Sequence, residues 1–470
     1  MDMFKKSLSI ILGLFLLASG RLYAQKPLSL EECRNLAIEN NNALKIATEQ
    51  ERKAHYDKKE AFTKYLPELS ATGAYLRNQK NLNIIPSSAI PTSISTPPIS
   101  IPPAINIPGM TFPIPEELRN SILGLGEIDI KNIWVAGISL TQPVFMGGKI
   151  IAYNDIRAYA EELAATMKDS KLSDVIVEVD EAYWQVVSVS NKKKLATSYI
   201  DLLKKMDSDI EAMVEEGVAT KADRLSVRVK LNEAEMSLTK AENGLSLAKM
   251  LLCQLCGLEI SDQITLVDED IETLPADEAP MIADVSEAWS NRSELKSLEL
   301  ASKIYDKQRR IAVSEFMPNV ALTANYLWTS PSAFDGLSNK FAGMWNVGVM
   351  VKVPLNFGSN IAKLNAAKAE ARIKKYEFEE AKEKIQLQVS QSSYKLNEAA
   401  KKLTAAKTNV ESADENLRYA NVGFEEGVIP ASDAMAAHAA WVSAHSEMID
   451  AQIDVKLCKV YLDKALGRKL

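Results

Sequence analysis

The chain has 470 residues, with 55 Lys and Arg against 62 Asp and Glu, for a formal net charge of −7. That length exceeds one ordinary domain, and a mildly acidic surface argues against a nucleic-acid partner. Beyond the N-terminus no apolar run approaches the roughly eighteen residues of a membrane helix. Any membrane crossing must therefore use a closed β-barrel, because lipid admits only helices and closed barrels.

Residues 1–24 are expected to be a cleavable secretory signal peptide. Lys5 and Lys6 form a basic start, Leu8 to Leu17 is an apolar stretch too short to span a bilayer, and small residues lead to a cut after Ala24. Cleavage removes Asp2, Lys5, Lys6 and Arg21, and so moves the formal charge from −7 to −9. No cysteine stands at the cut to carry a lipid anchor. The cysteines are Cys33, Cys253, Cys256 and Cys458. Cys253-Gln-Leu-Cys256 has redox-motif spacing but lies in a helical run with no βαβ pattern. It reads first as a packed helix end, with a redox or disulfide role as the alternative.

The remainder is one unit written twice, repeat 1 at 25–257 and repeat 2 at 281–467. Pro67 is matched by Pro318, Asn40 by Asn291 and Leu44 by Leu295, all at an offset of 251. Further on, Pro143 pairs with Pro354 at 211, and Gly217 with Gly427 and Gly257 with Gly467 at 210. The drop in offset places an insertion in the first copy, within 80–130. There nine prolines, from Pro86 to Pro115, crowd among isoleucines and serines. This insert is expected to be extended, polyproline-like or irregular.

In chain order, each copy opens with a helix (29–63; 281–315), followed by two strands (66–78 and 132–145; 318–329 and 343–355). Trp134, Ala136, Ile138 and Leu140 alternate with Val135, Gly137, Ser139 and Thr141, and Trp345 to Val353 and Val320 to Trp328 alternate likewise. Aromatics near strand ends on a period of two fit barrel strands with one face to lipid. A soluble sheet over a core is the alternative. Four strands cannot close a barrel, since the smallest membrane barrels need about eight, so a membrane location requires a homo-oligomer.

Each copy ends in a helical hairpin (149–256; 359–466). Lys149 to Glu216 contains neither Gly nor Pro, and Ser359 to Glu426 only Gly423. Val175, Val179, Ala182, Val186, Val189, Ala196, Ile200, Leu203, Ile210 and Val214 follow a heptad, with Lys193 and Asp207 as exceptions. The second copy repeats the seam from Ile385 to Phe424, so coiled-coil packing is expected. Both long helices stop at Glu-Glu-Gly. Gly217 and Gly427 suit a left-handed cap, and Thr220 and Ser432 suit the start of the returning helix. Residues 258–280 are acidic, lack Lys and Arg, and read as a surface segment with a short strand near Ile264 to Val267.

These features resemble the TolC family of outer-membrane efflux proteins. The resemblance rests on the duplication, on Gln-Pro143-Val-Phe-Met-Gly147-Gly and Val-Pro354-Leu-Asn-Phe-Gly358, and on Phe424-Glu-Glu-Gly-Val-Ile-Pro-Ala-Ser-Asp433 at the second tip. It implies a mainly α fold with a small β part, a homotrimer whose twelve strands form one outer-membrane barrel, and a periplasmic α-helical barrel closed at its tips. It further implies passive export, with a periplasmic adaptor and an inner-membrane pump as partners, and no enzyme activity, cofactor or metal. Asp223 and Asp433 fall where family members carry gate carboxylates; helix capping is the alternative for both. Phe424 stands where a gate tyrosine is common and Ile429 where an arginine can be, which predicts tips held more by apolar contact than by ion pairs. Gly217, Val218, Gly427 and Val428 are the expected adaptor-docking residues. A secreted coiled-coil adhesin or scaffold is the rival reading.

Overall fold

A computed structural model describes residues 27–95, 99–101, 105–107, 110–270, 284–332, 334 and 340–470. The signal-peptide reading lies outside these residues, as does the acidic segment beyond residue 270. The main elements are α1 (Leu30–Asn40), α2 (Asn42–Thr63), β1 (Glu68–Arg77), β2 (Asn132–Met146), α3 (Lys149–Glu215) and α4 (Lys221–Leu255) in the first copy. The second copy repeats them as α5 (Val285–Asn291), α6 (Ser293–Ser314), β3 (Asn319–Ser330), β4 (Ala342–Lys352), α7 (Phe357–Glu425) and α8 (Ala431–Leu466).

Two compact units result, and neither coincides with a repeat. The first takes the described residues up to His55, with Tyr159–Lys303 and Arg372–Leu470; the second takes Tyr56–Ala158 and Ile304–Ala371. Each unit therefore draws on both copies.

In the first unit the opening helix of each copy is broken, not continuous as 29–63 and 281–315 would have it. The break falls at Asn41 and at Arg292, both in extended backbone. The same use explains both breaks. Asn41 Nδ2 donates to Leu255 O at 2.8 Å, and Arg292 Nη1 to Ala465 O at 3.2 Å. Each side chain thus satisfies an end carbonyl of its own copy's returning helix. Gly257 and Gly467, at φ 68° and 72°, let the chain pass there. A Cβ on Gly257 would sit 2.6 Å from Asn40 Cβ, and one on Gly467 2.8 Å from Arg292 N. The repeat is therefore kept in three dimensions as a closing device used twice.

The cores repeat as well. Cys33, Ala37, Leu44, Val175, Val179, Val186 and Leu252 form one cluster; Ala288, Leu295, Ile385, Val389, Leu396 and Leu462 form its counterpart. The heptad seam is the buried stripe of α7, where Ile385, Val389, Leu396, Ala399, Leu403, Ala406, Ala413 and Ala420 are all buried. The first copy buries more. Tyr183 is fully buried and donates to Asp268 Oδ2 at 2.6 Å, while Lys249 pairs with Glu269 at 3.1 Å. The start of the acidic segment is thus packed on α3 and α4. The strand expected at Ile264 to Val267 reduces to one bridge, Leu28 to Leu266, followed by a 3₁₀ turn at Val267–Asp270.

In the second unit the strands form one antiparallel sheet in the order β1-β2-β3-β4. The described part of the insert is extended and also paired. Its described residues pair Leu82–Asn83 with Glu127–Ile128, Ser93–Ser95 with Thr111–Pro113 and Ile99–Ile101 with Ile105–Ile107, and a helix at Glu116–Leu125 precedes Glu127. Ser93 faces Pro113 and Ile101 faces Ile105, so one register centred on residue 103 serves both inner pairs. A two-stranded ribbon leaves one side of every strand open, and so accommodates proline where a central strand could not.

Asp180 on α3 is completely buried and paired in fork geometry with Arg34 of α1, whose Nε lies 2.7 Å from Oδ1. Removing one partner strands a buried charge. Arg34→Met should lower unfolding stability by about 3 kcal/mol, and adding Asp180→Leu should recover most of the loss, as read by urea titration in detergent.

Candidate functional site

Two surfaces qualify, and each is described within its own unit. The first is the sheet. Residues opposite one another across an antiparallel pair share a face. Leu140 faces Ala324, which faces Val347; Ile138 faces Tyr326, which faces Trp345; Tyr75 faces Trp134. The alternating apolar sets read from separate strands thus lie on one face. That face is bare in the chain, with Trp345 at 70% and Val347 at 69% exposure. Its aromatics, Tyr75, Trp134, Tyr326, Trp328 and Trp345, gather towards one end of the sheet, where Tyr75 packs on Trp134 at 4.5 Å and Tyr326 on Trp328 at 4.2 Å. The opposite face is the more polar one, although Leu76, Leu327, Met344 and Met350 also lie on it. Ser70 and Ser139 hydroxyls lie 2.6 Å apart, and Asn325 Nδ2 donates to Asn346 Oδ1 at 2.9 Å. Such a division suits hydrocarbon on one side and water on the other. β1 and β4 remain the open edges.

The second surface is the pair of helical tips. Gly217 and Gly427 adopt φ 78° and 73°. Val218 N donates to Met213 O and Gly217 N to Val214 O; Val428 N donates to Gly423 O and Gly427 N to Phe424 O. Both turns are Schellman caps, which need a left-handed residue at the glycine. The turns push Val218 and Val428 outward, each to 77% exposure. Phe424 is half-buried in a cluster that includes Ile210, Val227, Ala431 and Met435, drawn from both copies.

The two aspartates are exposed and differ in use. Asp223 closes a capping box: its Oδ2 accepts from Thr220 N at 2.9 Å and Thr220 Oγ1 at 2.7 Å, while its own N–H donates to Thr220 Oγ1 at 3.2 Å. The Thr220 bonds hold its carboxyl below the usual range. Asp433 has no such box. Position 430, equivalent to Thr220, is Pro430, which offers neither an N–H nor a side-chain oxygen. Ser432, expected to start the returning helix, lies inside it and donates to Asp433 Oδ1 at 3.3 Å.

The tips also differ in what braces them. In the first, Arg224 reaches Asp207 at 3.2 Å and also Glu211, while Arg228 approaches Asp207 at 3.6 Å. Asp207, one exception to the heptad, is therefore an ion-pair acceptor. The other exception, Lys193, pairs with Glu242 at 3.1 Å. At the offset of 210 these tip positions become Leu417, Asn421, Ala434 and His438. His438 is buried and hydrogen-bonds Asn421 Oδ1 at 2.7 Å; burial pushes its ring down to about 4. Apolar bracing thus describes the second hairpin, whereas the first carries an ion-pair network. The exchange of Asp207 and Arg224 for Leu417 and Ala434 is the sequence signal that could have located it.

Residues 285–468 match the family model described as outer membrane efflux protein. The cobalt-zinc-cadmium resistance protein CzcC of Cupriavidus metallidurans is 23% identical over 331 residues, 69% of this chain and 75% of that one. Among solved structures, the outer-membrane channel OprN superposes with a TM-score of 0.72 at 17% identity, covering 94% of this chain and 90% of its own. The CmeC outer membrane channel of Campylobacter jejuni superposes at 0.73 and 15% identity, covering 93% and 85%. Over more than nine-tenths of its length the chain therefore has the fold of these outer-membrane channels.

His438 yields a signed pH dependence. Its folded pKa lies below its ordinary value of 6.5, so between about 6.5 and 4 the unfolded chain binds the extra proton and stability falls as pH falls. The loss should reach at most about 3 kcal/mol. His438→Gln should flatten the drop in melting midpoint between pH 7 and pH 4.5; an unchanged slope would refute this assignment.

Proposed function

We propose that this chain is an outer-membrane exit duct of the family whose model it matches over residues 285–468, passing small molecules outward by passive conduction. The observation that carries the reading is the sheet: four strands, one bare apolar face with an aromatic end, one polar face, and open edges at β1 and β4. In hydrocarbon an unpaired N–H or C=O costs several kcal/mol. Each edge must therefore pair with another copy, and three copies supply twelve strands, above the roughly eight that a membrane barrel requires. Tyr75, Trp134, Trp328 and Trp345 then sit at a lipid–water boundary, and Ser70, Ser139, Asn325 and Asn346 face the lumen.

On this reading the protein resides in the outer membrane of a Gram-negative cell as a homotrimer, with the helical hairpins in the periplasm. The duct supplies no chemistry and uses no cofactor. The driving force comes from an inner-membrane pump, joined through a periplasmic adaptor that docks at Gly217, Val218, Gly427 and Val428. The exposed valines support this docking, because an apolar side chain held out by a rigid turn gains most from being covered. A coiled-coil scaffold would account for the heptads but gives the bare aromatic face no counterpart.

Within this reading the two tip aspartates differ in their suitability for a gate. Asp223 is engaged by Thr220, which leaves Asp433 as the carboxylate better disposed to line a shared entrance. Three such carboxylates in a narrow mouth favour cations and repel anions. The similarity to CzcC, a cobalt-zinc-cadmium resistance protein, supports divalent metal cations within the cargo class.

Three measurements test the reading. A bismaleimide bridging a cysteine placed on β1 to one on β4 should trap a denaturant-resistant trimer; bridges formed only within single chains would sink the barrel. In planar bilayers the trimer should conduct with cation preference, and Asp433→Ala should weaken divalent-cation block about tenfold, against two-fold or less for Asp223→Ala. Equal, negligible effects would remove the gate role. Photo-crosslinkers at Val218 and Val428 should capture the adaptor, and export that persists with no capture would count against docking at these tips.

A further inference from the structure

Three of the four cysteines meet in the first unit's core. Cys33 lies on α1, while Cys253 and Cys256 lie at the end of α4, and all three are buried. They are not equivalent. The Cys253 thiol donates to Ser261 O at 3.3 Å and is thereby occupied. The Cys256 thiol donates to Cys33 O at 3.5 Å, which sets these two cysteines side by side although 223 positions separate them. The pair spaced Cys-x-x-Cys in the sequence is therefore not the pair that the fold brings together.

Both sulfurs sit on well-anchored backbone. The Ser29–Glu32 capping box begins α1 immediately before Cys33. Asn41 holds Leu255 O beside Cys256, and Leu258 N donates to Cys253 O to close the α4 cap. In the second copy the equivalent positions are Asp284 and Leu466, so the repeated architecture does not itself call for two thiols here. Among the described residues no group of three or more His, Cys, Asp or Glu is arranged to hold a metal ion, which disfavours a metal–thiolate reading of the cluster.

We propose that Cys33 and Cys256 are a disulfide site, oxidised once the chain reaches an oxidising compartment, with the bond tying α1 to the end of α4. This rests on the outer-membrane reading for the compartment alone. The oxidant is a disulfide-bearing thiol oxidant, R–S–S–R. The Cys33 thiolate attacks one of its sulfurs and expels the first R–S⁻, leaving a mixed disulfide on Cys33. Cys256 gives up its proton, attacks the Cys33 sulfur and expels the second R–S⁻. The two cysteines lose two electrons and two protons, and the oxidant's S–S bond is reduced to two R–SH. The finished bond closes a loop spanning nearly all of repeat 1, the class of loop whose closure most restricts the unfolded chain. Because both thiols are buried in the final fold, exchange precedes the complete docking of α1.

The test uses the full-length protein. Material from outer membranes is denatured in the presence of a maleimide–polyethylene glycol, with and without prior reduction. Two thiols, Cys253 and Cys458, should react without reductant and four after it, and peptide mapping should link Cys33 to Cys256. Four reactive thiols without reductant would overturn the proposal; a conducting trimer in the same preparation would leave the duct reading standing. A second arm refolds the reduced chain with oxidised glutathione, independently of compartment. Cys253→Ser should still form the Cys33–Cys256 link and melt above its reduced form, whereas Cys33→Ser and Cys256→Ser should melt alike with or without oxidant. A dominant Cys253–Cys256 link, or no link, would overturn the assignment.

Discussion

The open edges of β1 and β4 are the constraint on which the proposed assembly rests. Within one chain, each leaves a row of backbone groups on its outer side without a strand partner. In water such edges are tolerable, because solvent satisfies them. Beside a face that presents Trp345, Val347, Val349 and Val351 they are not, because the medium that suits those side chains cannot hydrogen-bond. The apolar face and the open edges are thus compatible only if other copies continue the sheet. Oligomerisation is then a condition for placing the sheet in its solvent, not an addition to a finished monomer.

Duplication supplied two versions of one hairpin, and the structure separates what had to be kept from what was free to change. The closing device was kept in geometry and altered in chemistry: Asn41 and Arg292 make the same bond to the same carbonyl with different side chains. The Schellman turns at Gly217 and Gly427 were kept outright, since only a residue tolerant of positive φ serves there. The bracing of the two tips was free to diverge. Arg224 between Asp207 and Glu211 gives the first hairpin a directional hold. Leu417, Ala434 and the neutral His438–Asn421 pair give the second a hold that relies on desolvated packing. The two hairpins of one chain are therefore braced by different physical interactions.

Much of this was legible in the sequence because it depends on period. A period of two marked the apolar faces of β2, β3 and β4, and a period of 3.5 marked the seam from Ile385 to Ala420. An unbroken offset of 210 aligned both tips before any contact was known. The heptad exceptions Lys193 and Asp207 were visible too, but their partners Glu242 and Arg224 were not. Local punctuation was legible where a residue has few uses, as at the tip glycines. It failed where one has several: Asn41 and Arg292 look like ordinary helix residues until Leu255 O and Ala465 O are seen beside them.

Consecutive residues and their spacing set most of the elements, their doubling and the apolar faces, because these are local and periodic properties of the chain. Only the tertiary structure decided that the two compact units each mix both repeats, that Arg34 neutralises the buried Asp180, and that Cys33 meets Cys256 while Cys253 turns to Ser261. Only it separated Asp223, held in a cap, from Asp433, which Pro430 cannot cap. The reason is physical. Periodicity states which side of an element is buried, whereas a hydrogen bond or ion pair between residues a hundred or more positions apart depends on where two chain segments arrive in space.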